Sequence, residues 1–374
     1  MARPSIIVIG AGMAGLSCAS HAAEFADVTV LEAESQPGYH SSGRSAAAYI
    51  EPYINATVHA LTTASRGFFE RPPDGFTEAP LVSPRADVMI AAQAKAHLID
   101  DYLAKWSPLC PDLREVPAAD ALAQVPALRV QAVHRAVTDP NVLDIDVHAL
   151  LEGFRRLLMA RGGSVVTNAR VTAVERRALR WSVETADASF AADLVVNAAG
   201  AWGEQVAALA GAGHVGLVPK RRTALLIDAP GFSLNDWPIV HEVESQFYFK
   251  PDAGRLLLSP ADETPSEPCD AQPEELDVAI AIDRFERATT IPVRRVVRRW
   301  AGLRSFVADK MPVVGFDAKV DGFFWLVGQG GFGIQTSPAM GRLSAALLSG
   351  RDVPADIAAR GVTAAALTPS RLQT

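Results

Sequence analysis

The run from an apolar strand into a glycine-rich turn at the N-terminus constrains this fold more than any other feature of the sequence. Residues 5–9 read Ser-Ile-Ile-Val-Ile, an almost wholly β-branched segment typical of a parallel strand buried on both faces. Residues 10–15 follow at once and read Gly-Ala-Gly-Met-Ala-Gly. This order predicts a strand, a tight turn and a helix, the arrangement with which a βαβ unit binds a dinucleotide.

Each glycine of the turn has its own expected role. Gly10 permits the sharp turn, Gly12 lets the backbone approach a pyrophosphate, and Gly15 lets the helix pack closely on the strand. The phosphates would lie at the helix N-terminus, where free N–H groups and the helix dipole favour negative charge. A second strand, residues 28–31, leads to Glu32. That position, about 20 residues beyond the glycines, is where such units place an acid for the ribose hydroxyls.

The rest of the nucleotide domain is predicted to come from distant segments. Residues 36–47 form a polar loop rich in small residues instead of another βα repeat, which suits a long, extended cofactor. An amphipathic helix from Val147 to Leu158 precedes predicted strands at 165–166, 171–174 and 194–196. Small residues after the last strand would admit the cofactor at the carboxyl edge of the sheet.

Composition and charge narrow the class of protein. The chain has 374 residues, 49% of them hydrophobic, which is enough for two interleaved domains. Its net charge of -7 argues against nucleic acid as a partner, because polyanions are bound by concentrated Lys and Arg. The widely spaced Cys18, Cys110 and Cys269 form neither a disulfide framework nor a zinc spacing. We expect a cytoplasmic protein without a signal peptide or a transmembrane segment, with peripheral contact to the inner membrane left open.

Four sequence blocks carry a resemblance to a known family. They are residues 38–47, 219–222, 300–309 and 329–337. Through them the chain resembles the D-amino acid oxidase superfamily of FAD enzymes, and within it most of all the bacterial D-arginine dehydrogenases. The resemblance implies an α/β (α+β) fold with a discontinuous, Rossmann-like FAD-binding domain and a substrate domain built on an antiparallel sheet. The FAD domain would comprise residues 1–48, 146–211 and 301–374, and the substrate domain 49–145 and 212–300.

The resemblance also implies which residues bind the cofactor, noncovalent FAD. These are Gly10, Gly12, Met13, Ala14, Gly15, Glu32, Ala33, Gly43, Arg44, Ser45, Ala47, Val171, Ala198, Gly200, Trp202, Arg304, Gly330, Gly331, Gly333, Ile334, Gln335 and Thr336. Covalent attachment of the flavin needs a nearby cysteine, and none is expected there. Ser337 and Pro338 suit the N-cap and first position of a helix over residues 339–348, whose start should face the flavin.

The implied reaction is oxidation of the Cα–N bond of a D-amino acid by hydride transfer to flavin N5. The resulting imino acid would hydrolyse to a 2-oxo acid and ammonia, and the electrons would pass to a quinone, another acceptor or oxygen. Arg304 is expected to anchor the substrate carboxylate, because a guanidinium fork matches a carboxylate. Arg221 would be its second contact, Tyr53 and Tyr248 would shape the pocket and donate hydrogen bonds, and Gly331 would leave room for substrate.

The predicted specificity residues differ from those of the D-arginine dehydrogenases. Asp87 stands where that group has a glutamate that receives a cationic side chain, and its shorter side chain calls for a partner such as His241 or Arg85. Ala48 replaces a histidine, Ile50 a threonine, Ile239 a methionine and His241 a valine, while Gln335 completes the set. These differences predict an altered or broader range of amino acid substrates.

Two alternatives remain open on the sequence. The first is an amine oxidase of the glycine or sarcosine type that uses oxygen as acceptor. The second is a flavin-binding protein without turnover, which would be expected to lack the arginine anchor and the pocket tyrosines.

Overall fold

The computed structural model of the chain describes residues 3–177 and 179–373. Within these ranges the strands, numbered β1 to β20 in chain order, are Ser5–Ile9, Asp27–Leu31, Ala48–Tyr49, Val82–Pro84, Asp87–Ala91, Arg114–Val116, Arg135–Asp139, Leu143–Ile145, Ser164–Val166, Val171–Arg177, Arg180–Thr185, Ser189–Ala192, Leu194–Asn197, Val218–Ile227, Ile239–Glu242, Tyr248–Asp252, Arg255–Ser259, Val296–Phe306, Val313–Phe316 and Phe323–Val327. The helices, α1 to α10, are Met13–Ala22, Ala56–Glu70, Leu98–Trp106, Ala118–Gln124, Val147–Ala160, Gly203–Leu209, Glu275–Ala288, Gly333–Leu348, Ala355–Ala358 and Ala364–Leu367.

A mostly parallel sheet holds the N-terminal motif. Its strand order is β19-β20-β13-β1-β2-β9, and only the edge pair β19 and β20 is antiparallel. The predicted first strand, helix and second strand are confirmed, with α1 ending at Ala22. Helix α8 packs so closely on α1 that a Cβ at Gly341 would lie 2.6 Å from the Ser17 carbonyl oxygen. The predicted helix α5 is present, and the predicted strands at 165–166 and 194–196 join this sheet as β9 and β13, whereas the strand at 171–174 is β10 of a separate three-stranded sheet, β10-β11-β12.

A second, eight-stranded sheet has two chemically different faces. Its order is β18-β14-β17-β16-β15-β5-β7-β6, antiparallel throughout except for the parallel pair β15 and β5. One face packs an apolar core against α7, with Leu225, Phe249, Leu258 and Phe285 all buried. Successive side chains of a strand point to opposite faces, so the other face receives the intervening residues. The predicted combination of a parallel and an antiparallel sheet in an α/β fold is thereby confirmed.

The start of α8 corrects a prediction. The helix begins at Gly333, one and a half turns before the predicted start at residue 339, so Ser337 is not its N-cap and Pro338 lies inside it. A proline has no N–H for the preceding turn. The freed Ile334 carbonyl instead accepts a bond from Ser337 Oγ at 2.9 Å. The Ala339 N–H, next to the proline, donates to Ser65 Oγ of α2 at 3.1 Å.

Strand β18 carries Arg304. Residues 302–304 belong to the strand, which runs from Val296 to Phe306 and pairs with β14 along nearly its whole length. The strand therefore crosses the predicted domain boundary at residue 300. Arg304 stands on the second sheet, where its backbone is fixed by ladder hydrogen bonds.

Candidate active site

An elongated cleft runs along the carboxyl ends of β1, β2 and β13. One cavity extends from Glu32 and Val171 past Gly10 to Gly200, and a second extends from Gly12 to Arg304 and Gly331. The two share Gly12, Ser42 and Ala198 in their walls, so together they form one extended space. This is the edge at which open α/β sheets bind ligands.

The glycines of the first turn fit the roles predicted for them. Gly10 has a φ of +105°, and a Cβ there would lie 2.5 Å from the Ala198 carbonyl oxygen. A Cβ at Gly15 would lie 1.9 Å from the Gly10 carbonyl oxygen, which explains the close packing of helix on strand. At Gly12 the nearest atom is Ser42 Oγ, at 3.4 Å from the added Cβ. The backbone at Gly12 is thus open to a ligand, as a pyrophosphate requires.

Glu32 braces this turn from the end of β2. Its Oε2 accepts a hydrogen bond from the Ala11 N–H at 2.7 Å, and its Oε1 accepts one from the Glu34 N–H at 2.9 Å. The carboxylate also lines the cleft. A carboxylate has about four lone-pair sites, so each oxygen can still accept a ribose hydroxyl.

The loop after β2 joins the two sheets. Ser42 Oγ accepts a hydrogen bond from the Met13 N–H at 3.0 Å, at the start of α1. Arg44 donates to the carbonyls of Ala271 and Ala301, at 2.9 and 3.0 Å, and pairs with Asp270. Its guanidinium therefore fastens the loop to the second sheet while its stem lines the cleft.

Most of the predicted cofactor residues line the cleft. They are Gly10, Gly12, Met13, Ala14, Glu32, Ala33, Arg44, Ser45, Val171, Ala198, Gly200, Trp202, Arg304, Gly330, Gly331, Gly333 and Ile334. Ala47 and Gln335 line the adjoining third cavity, and Gly43 a neighbouring groove. Gly15 and Thr336 lie behind the cleft, where Thr336 Oγ1 donates to the Phe332 carbonyl at 3.0 Å. The fit of glycines, acid and helix start to an extended dinucleotide is consistent with FAD.

The third cavity adjoins the cleft and carries the carboxylate-binding candidates. Arg222, Tyr248 and Arg304 line both spaces, and Tyr53 lines the third cavity only. Arg304 Nη1 donates to Tyr53 Oη at 3.3 Å, its only side-chain hydrogen bond within the described ranges. Arg222 Nε donates to the Asp262 carbonyl at 2.8 Å. Two guanidinium groups thus face one cavity with most of the donors of Arg304 unused.

The electrostatics of this cluster favour an anion. Loss of water lowers the pKa of Arg222, and the neighbouring positive charge of Arg304 lowers it further. Burial opposes ionisation of Tyr248, but Arg304 and Arg222 outweigh it and hold the pKa of that phenol below its usual value. An anionic ligand between the two arginines would relieve their repulsion.

Arg221 faces away from this cavity, contrary to its predicted role. Its Nε donates to Asp277 Oδ2 at 3.1 Å and its Nη1 to Glu274 Oε1 at 2.5 Å, which ties β14 to the N-terminal turn of α7. Arg222 points the other way because successive strand residues alternate between faces. The second arginine facing this cavity is therefore Arg222, which the sequence analysis did not single out.

Gly331 and Gln335 shape the end of the cavity nearest the cleft. A Cβ at Gly331 would lie 2.6 Å from Arg304 Nη1 and 2.9 Å from Tyr53 Oη, so only glycine leaves this space open. Gln335 Nε2 donates to the Ile50 carbonyl and to Thr62 Oγ1, at 3.0 and 2.9 Å, and its Oε1 accepts the Ile50 N–H. This amide holds the segment that carries Ile50 and Tyr53 against α8.

The predicted specificity residues divide between the wall and the layer behind it. Ala48, Ile50, Ile239 and His241 line the third cavity, whereas Asp87 is 5% exposed and does not. The Asp87 Oδ1 lies 2.5 Å from His241 Nδ1, so His241 is the partner that its burial requires. Arg85 binds Asp144 instead, with Nε to Oδ2 at 2.6 Å.

A family model described as "DAO: FAD dependent oxidoreductase" matches residues 5–347. The chain belongs to this family. Its members' cofactor is FAD, which agrees with the cleft, and the chain is an FAD-dependent oxidoreductase. The family match does not extend to the narrower resemblance to D-arginine dehydrogenases, which stays a prediction from the sequence.

Sequence relatives of this family member are distant. FAD-dependent oxidoreductase domain-containing protein 1 of Xenopus laevis is 28% identical over 175 residues, covering 41% of this chain and 34% of the relative, so the match spans about a third of that protein. Glycine oxidase of Geobacillus kaustophilus is 23% identical over 262 residues, covering 69% and 67%. D-amino acid dehydrogenase 3 of Mesorhizobium japonicum is 24% identical over 220 residues, covering 56% and 52%.

Solved structures share the fold over nearly the whole chain. L-proline dehydrogenase from P. horikoshii superposes with a TM-score of 0.83 at 17% identity, covering 99% of this chain and 97% of its own. L-alpha-glycerophosphate oxidase from Mycoplasma pneumoniae, a structure with FAD bound, gives 0.82 at 15% identity, with 93% and 95% coverage. At these identities the likeness establishes the fold alone.

Two further observations bear on cofactor attachment and on membranes. Cys18, Cys110 and Cys269 are free thiols and line neither part of the cleft. Noncovalent binding of FAD stays a prediction, to be checked by release of the flavin on denaturation. In the part of the chain that the structure describes, every helix is too short or too polar to cross a membrane.

Proposed function

We propose that this family member oxidises the Cα–N bond of a D-amino acid to an imino acid, which water converts to a 2-oxo acid and ammonia. The observation that carries the proposal is the pair Arg222 and Arg304, two partly buried guanidiniums facing one cavity beside the cofactor cleft. Most donors of Arg304 are unused, and a substrate carboxylate supplies the missing acceptors. The Mesorhizobium relative, a D-amino acid dehydrogenase by name, supports the same class of substrate.

The residues around the clamp act by orienting the substrate. Bound FAD supplies the chemistry of accepting a hydride from the substrate α-carbon. Arg222 and Arg304 hold the carboxylate, and Tyr53 and Tyr248 stand beside Arg304 as hydrogen-bond donors. Gly331 keeps the approach from cavity to cleft open. The site needs no general base if the substrate binds with a neutral amine, because the nitrogen lone pair then assists loss of hydride.

The electron acceptor and the stereochemistry belong to the proposal as well. A dehydrogenase that passes electrons to a quinone or another acceptor is our preferred form. A glycine oxidase-type reaction with oxygen is the second candidate, favoured by the named activity of the Geobacillus relative. Preference for D-arginine is not part of the proposal, because His241 stands between Asp87 and the cavity.

The test is anaerobic bleaching of the bound, oxidised flavin by separate D-amino acids, L-amino acids, glycine and sarcosine. We expect reduction by D-isomers and none by L-isomers. If glycine or sarcosine bleached the flavin and D-isomers did not, the protein would belong with the glycine or sarcosine oxidases. Bleaching by L-isomers alone would overturn the stereochemistry.

Variants of two arginines on β18 test the clamp. Arg304→Met removes a charged, forked contact worth about 3 kcal/mol, so we expect the Kd for substrate to rise about 100-fold. Arg299→Met is the matched control, because Arg299 lies on the same strand but is 45% exposed and pairs with Glu275. Equal substrate affinity in the two variants would show that Arg304 does not bind the substrate.

A further inference from the structure

His241 presents the polar end of the substrate cavity. It lines the wall together with Ile239, two residues earlier on β15, because alternate strand residues share a face. Its Nδ1 is hydrogen-bonded to Asp87 Oδ1 at 2.5 Å. Its Nε2 makes no hydrogen bond to any described residue, and the imidazole is 21% exposed. This ring nitrogen is therefore free to contact a ligand, and it is a donor when the ring is protonated.

The layer behind His241 favours its positive charge. Asp87 lies on β5, which pairs with β15 in parallel with Ile239 opposite Asp87. Asp139 of β7 stands opposite Asp87 in turn. Burial and then the nearby Asp87 charge raise the pKa of Asp139 to about 6. Burial opposes charging of His241, but Asp87 outweighs it and raises the imidazole pKa. Asp87 thus favours the protonated imidazole, in which both nitrogens are donors.

The charges that line the cavity favour an anionic side chain. Glu244 shares Lys95 with Glu242, and Glu263 contacts both Lys220 and Arg222. Lys310 lies over the Phe306 ring, 5.8 Å from its centroid. The wall carries four cations, Arg222, Arg304, Lys250 and Lys310, against two acids, Glu244 and Glu263, so its net charge is positive. A cationic side chain would meet an imidazolium and could not reach Asp87 behind it.

The two polar ends of the cavity are arranged across the sheet. Arg222 stands on β14 and His241 on β15, with β17 and β16 between them. Three strand spacings separate their backbones by about 14 Å, and both side chains reach into the same cavity from their strands. Tyr248, directly opposite His241 on β16, lies between the two ends. A ligand with an anionic group at each end matches this layout.

We propose that His241, held by Asp87, binds the substrate side chain through Nε2 and selects amino acids whose side chain ends in a carboxylate. This inference rests on the proposed function for the role of Arg222 and Arg304 at the other end. Asp87 is a positioning residue in it, because it acts through His241.

Binding of inert acids to the holoenzyme tests the inference without turnover. Glutarate and pentanoate have the same number of carbons, and only glutarate carries a second carboxylate. We expect wild type to bind glutarate at least about 10-fold more tightly than pentanoate, measured by perturbation of the flavin absorbance. In His241→Val the ratio of the two Kd values should fall to about one. His134→Val, the same change at an exposed histidine, should keep the wild-type ratio.

The outcomes separate this inference from the proposed function. A ratio unchanged by His241→Val, or tighter binding of pentanoate by wild type, overturns the role of His241. Faster flavin reduction by D-lysine or D-arginine than by D-glutamate overturns the selectivity. If only glycine or sarcosine reduces the flavin while the glutarate ratio still depends on His241, the proposed function fails and the carboxylate site stands.

Discussion

Individual side chains of the second sheet form the candidate site, and the face of the sheet on which each side chain lies determines its role. Arg221 and Arg222 are neighbours in a basic run, which the sequence presents as equivalent. The strand places one against α7 and the other in the cavity. The glycine turn and Glu32 could be read from the sequence because their roles are local. Which of the two adjacent arginines faces the cavity could not be predicted from the sequence, because it depends on the register of β14 with β18.

A side chain at Gly331 should block the substrate without displacing FAD. Gly331→Val would place its Cβ 2.6 Å from Arg304 Nη1, on the approach from cavity to cleft. We expect kcat/KM for amino acids to fall at least about 100-fold, since misplacement by an ångström already costs that much. Titration of bound FAD checks retention of the cofactor. Wild-type turnover in this variant would contradict the placement of the substrate.

Asp139 should make the fold less stable at neutral pH. Burial raises the pKa of the Asp139 carboxyl from 3.8 to about 6. The protonated carboxyl therefore stabilises the folded protein fully below pH 3.8, and this stabilisation is lost as the pH rises through 6. Asp139→Asn keeps the acceptor for the Asn141 N–H, now at 2.9 Å. We expect the variant to be more stable than wild type by about 1–3 kcal/mol at pH 8, with the difference vanishing near pH 4.

Thermal melting at the two pH values measures this effect. Asp74→Asn, a change at an exposed aspartate, is the control. A variant that melts below wild type at pH 8 would show that the Asp139 carboxylate is stabilised by its surroundings.

At the scale of elements, strands and helices appear where the patterns predict them, and their ends differ. The apolar runs on either side of the glycine turn located β1 and β2 to within a residue, with α1 between them. The start of α8 was displaced because Ser337 and Pro338 look like a helix start in isolation. Tertiary partners supply what the proline removes, since Ser65 of α2 accepts the Ala339 N–H. Sequence alone does not contain that contact.

The ion pair of Arg221 should fasten α7 to the sheet and leave substrate binding alone. Arg221 and Asp277 are 11% and 12% exposed, so Arg221→Met leaves a largely buried carboxylate without its partner. We expect a loss of about 3 kcal/mol in the free energy of unfolding, with KM unchanged. Denaturant unfolding measures the first quantity and flavin bleaching the second.

The double variant Arg221→Met with Asp277→Leu is the control for this pair. It should recover most of the loss, because the buried carboxylate is removed with its partner, and Glu274, which also binds Arg221, is 62% exposed. If Arg221→Met raised KM and left the free energy of unfolding unchanged, Arg221 would belong to the substrate site after all.

At the scale of the whole molecule, residues of both sheets line the cleft that we expect to hold FAD. The parallel sheet supplies the glycine turn and Glu32, while β14, β16 and β18 of the second sheet supply Arg222, Tyr248 and Arg304. The family could be identified from the sequence because its motifs are contiguous. The pairing of His241 with Asp87 could be considered from the sequence, but its orientation toward the cavity could not, because 154 residues separate the partners.

Loss of the Glu32 charge should weaken cofactor binding. Glu32→Gln keeps one acceptor oxygen and turns an amide toward the Ala11 or Glu34 N–H, where it cannot accept. We expect the Kd for FAD to rise about 10- to 100-fold. Recovery of flavin fluorescence on dilution measures this Kd. Glu24→Gln, at a half-exposed glutamate after α1, should bind FAD as wild type does.

The two-sided second sheet also limits how this protein can diverge. Because core and cavity residues alternate along β14, a single substitution at an even-numbered position from 220 to 224 alters the ligand side and spares the helix side. A one-residue deletion ahead of Arg221 would exchange the two sides, burying one arginine's charge against α7 and turning the other toward solvent or ligand. Descendants of this sequence should therefore accumulate point changes within these strands and confine length changes to the loops between them.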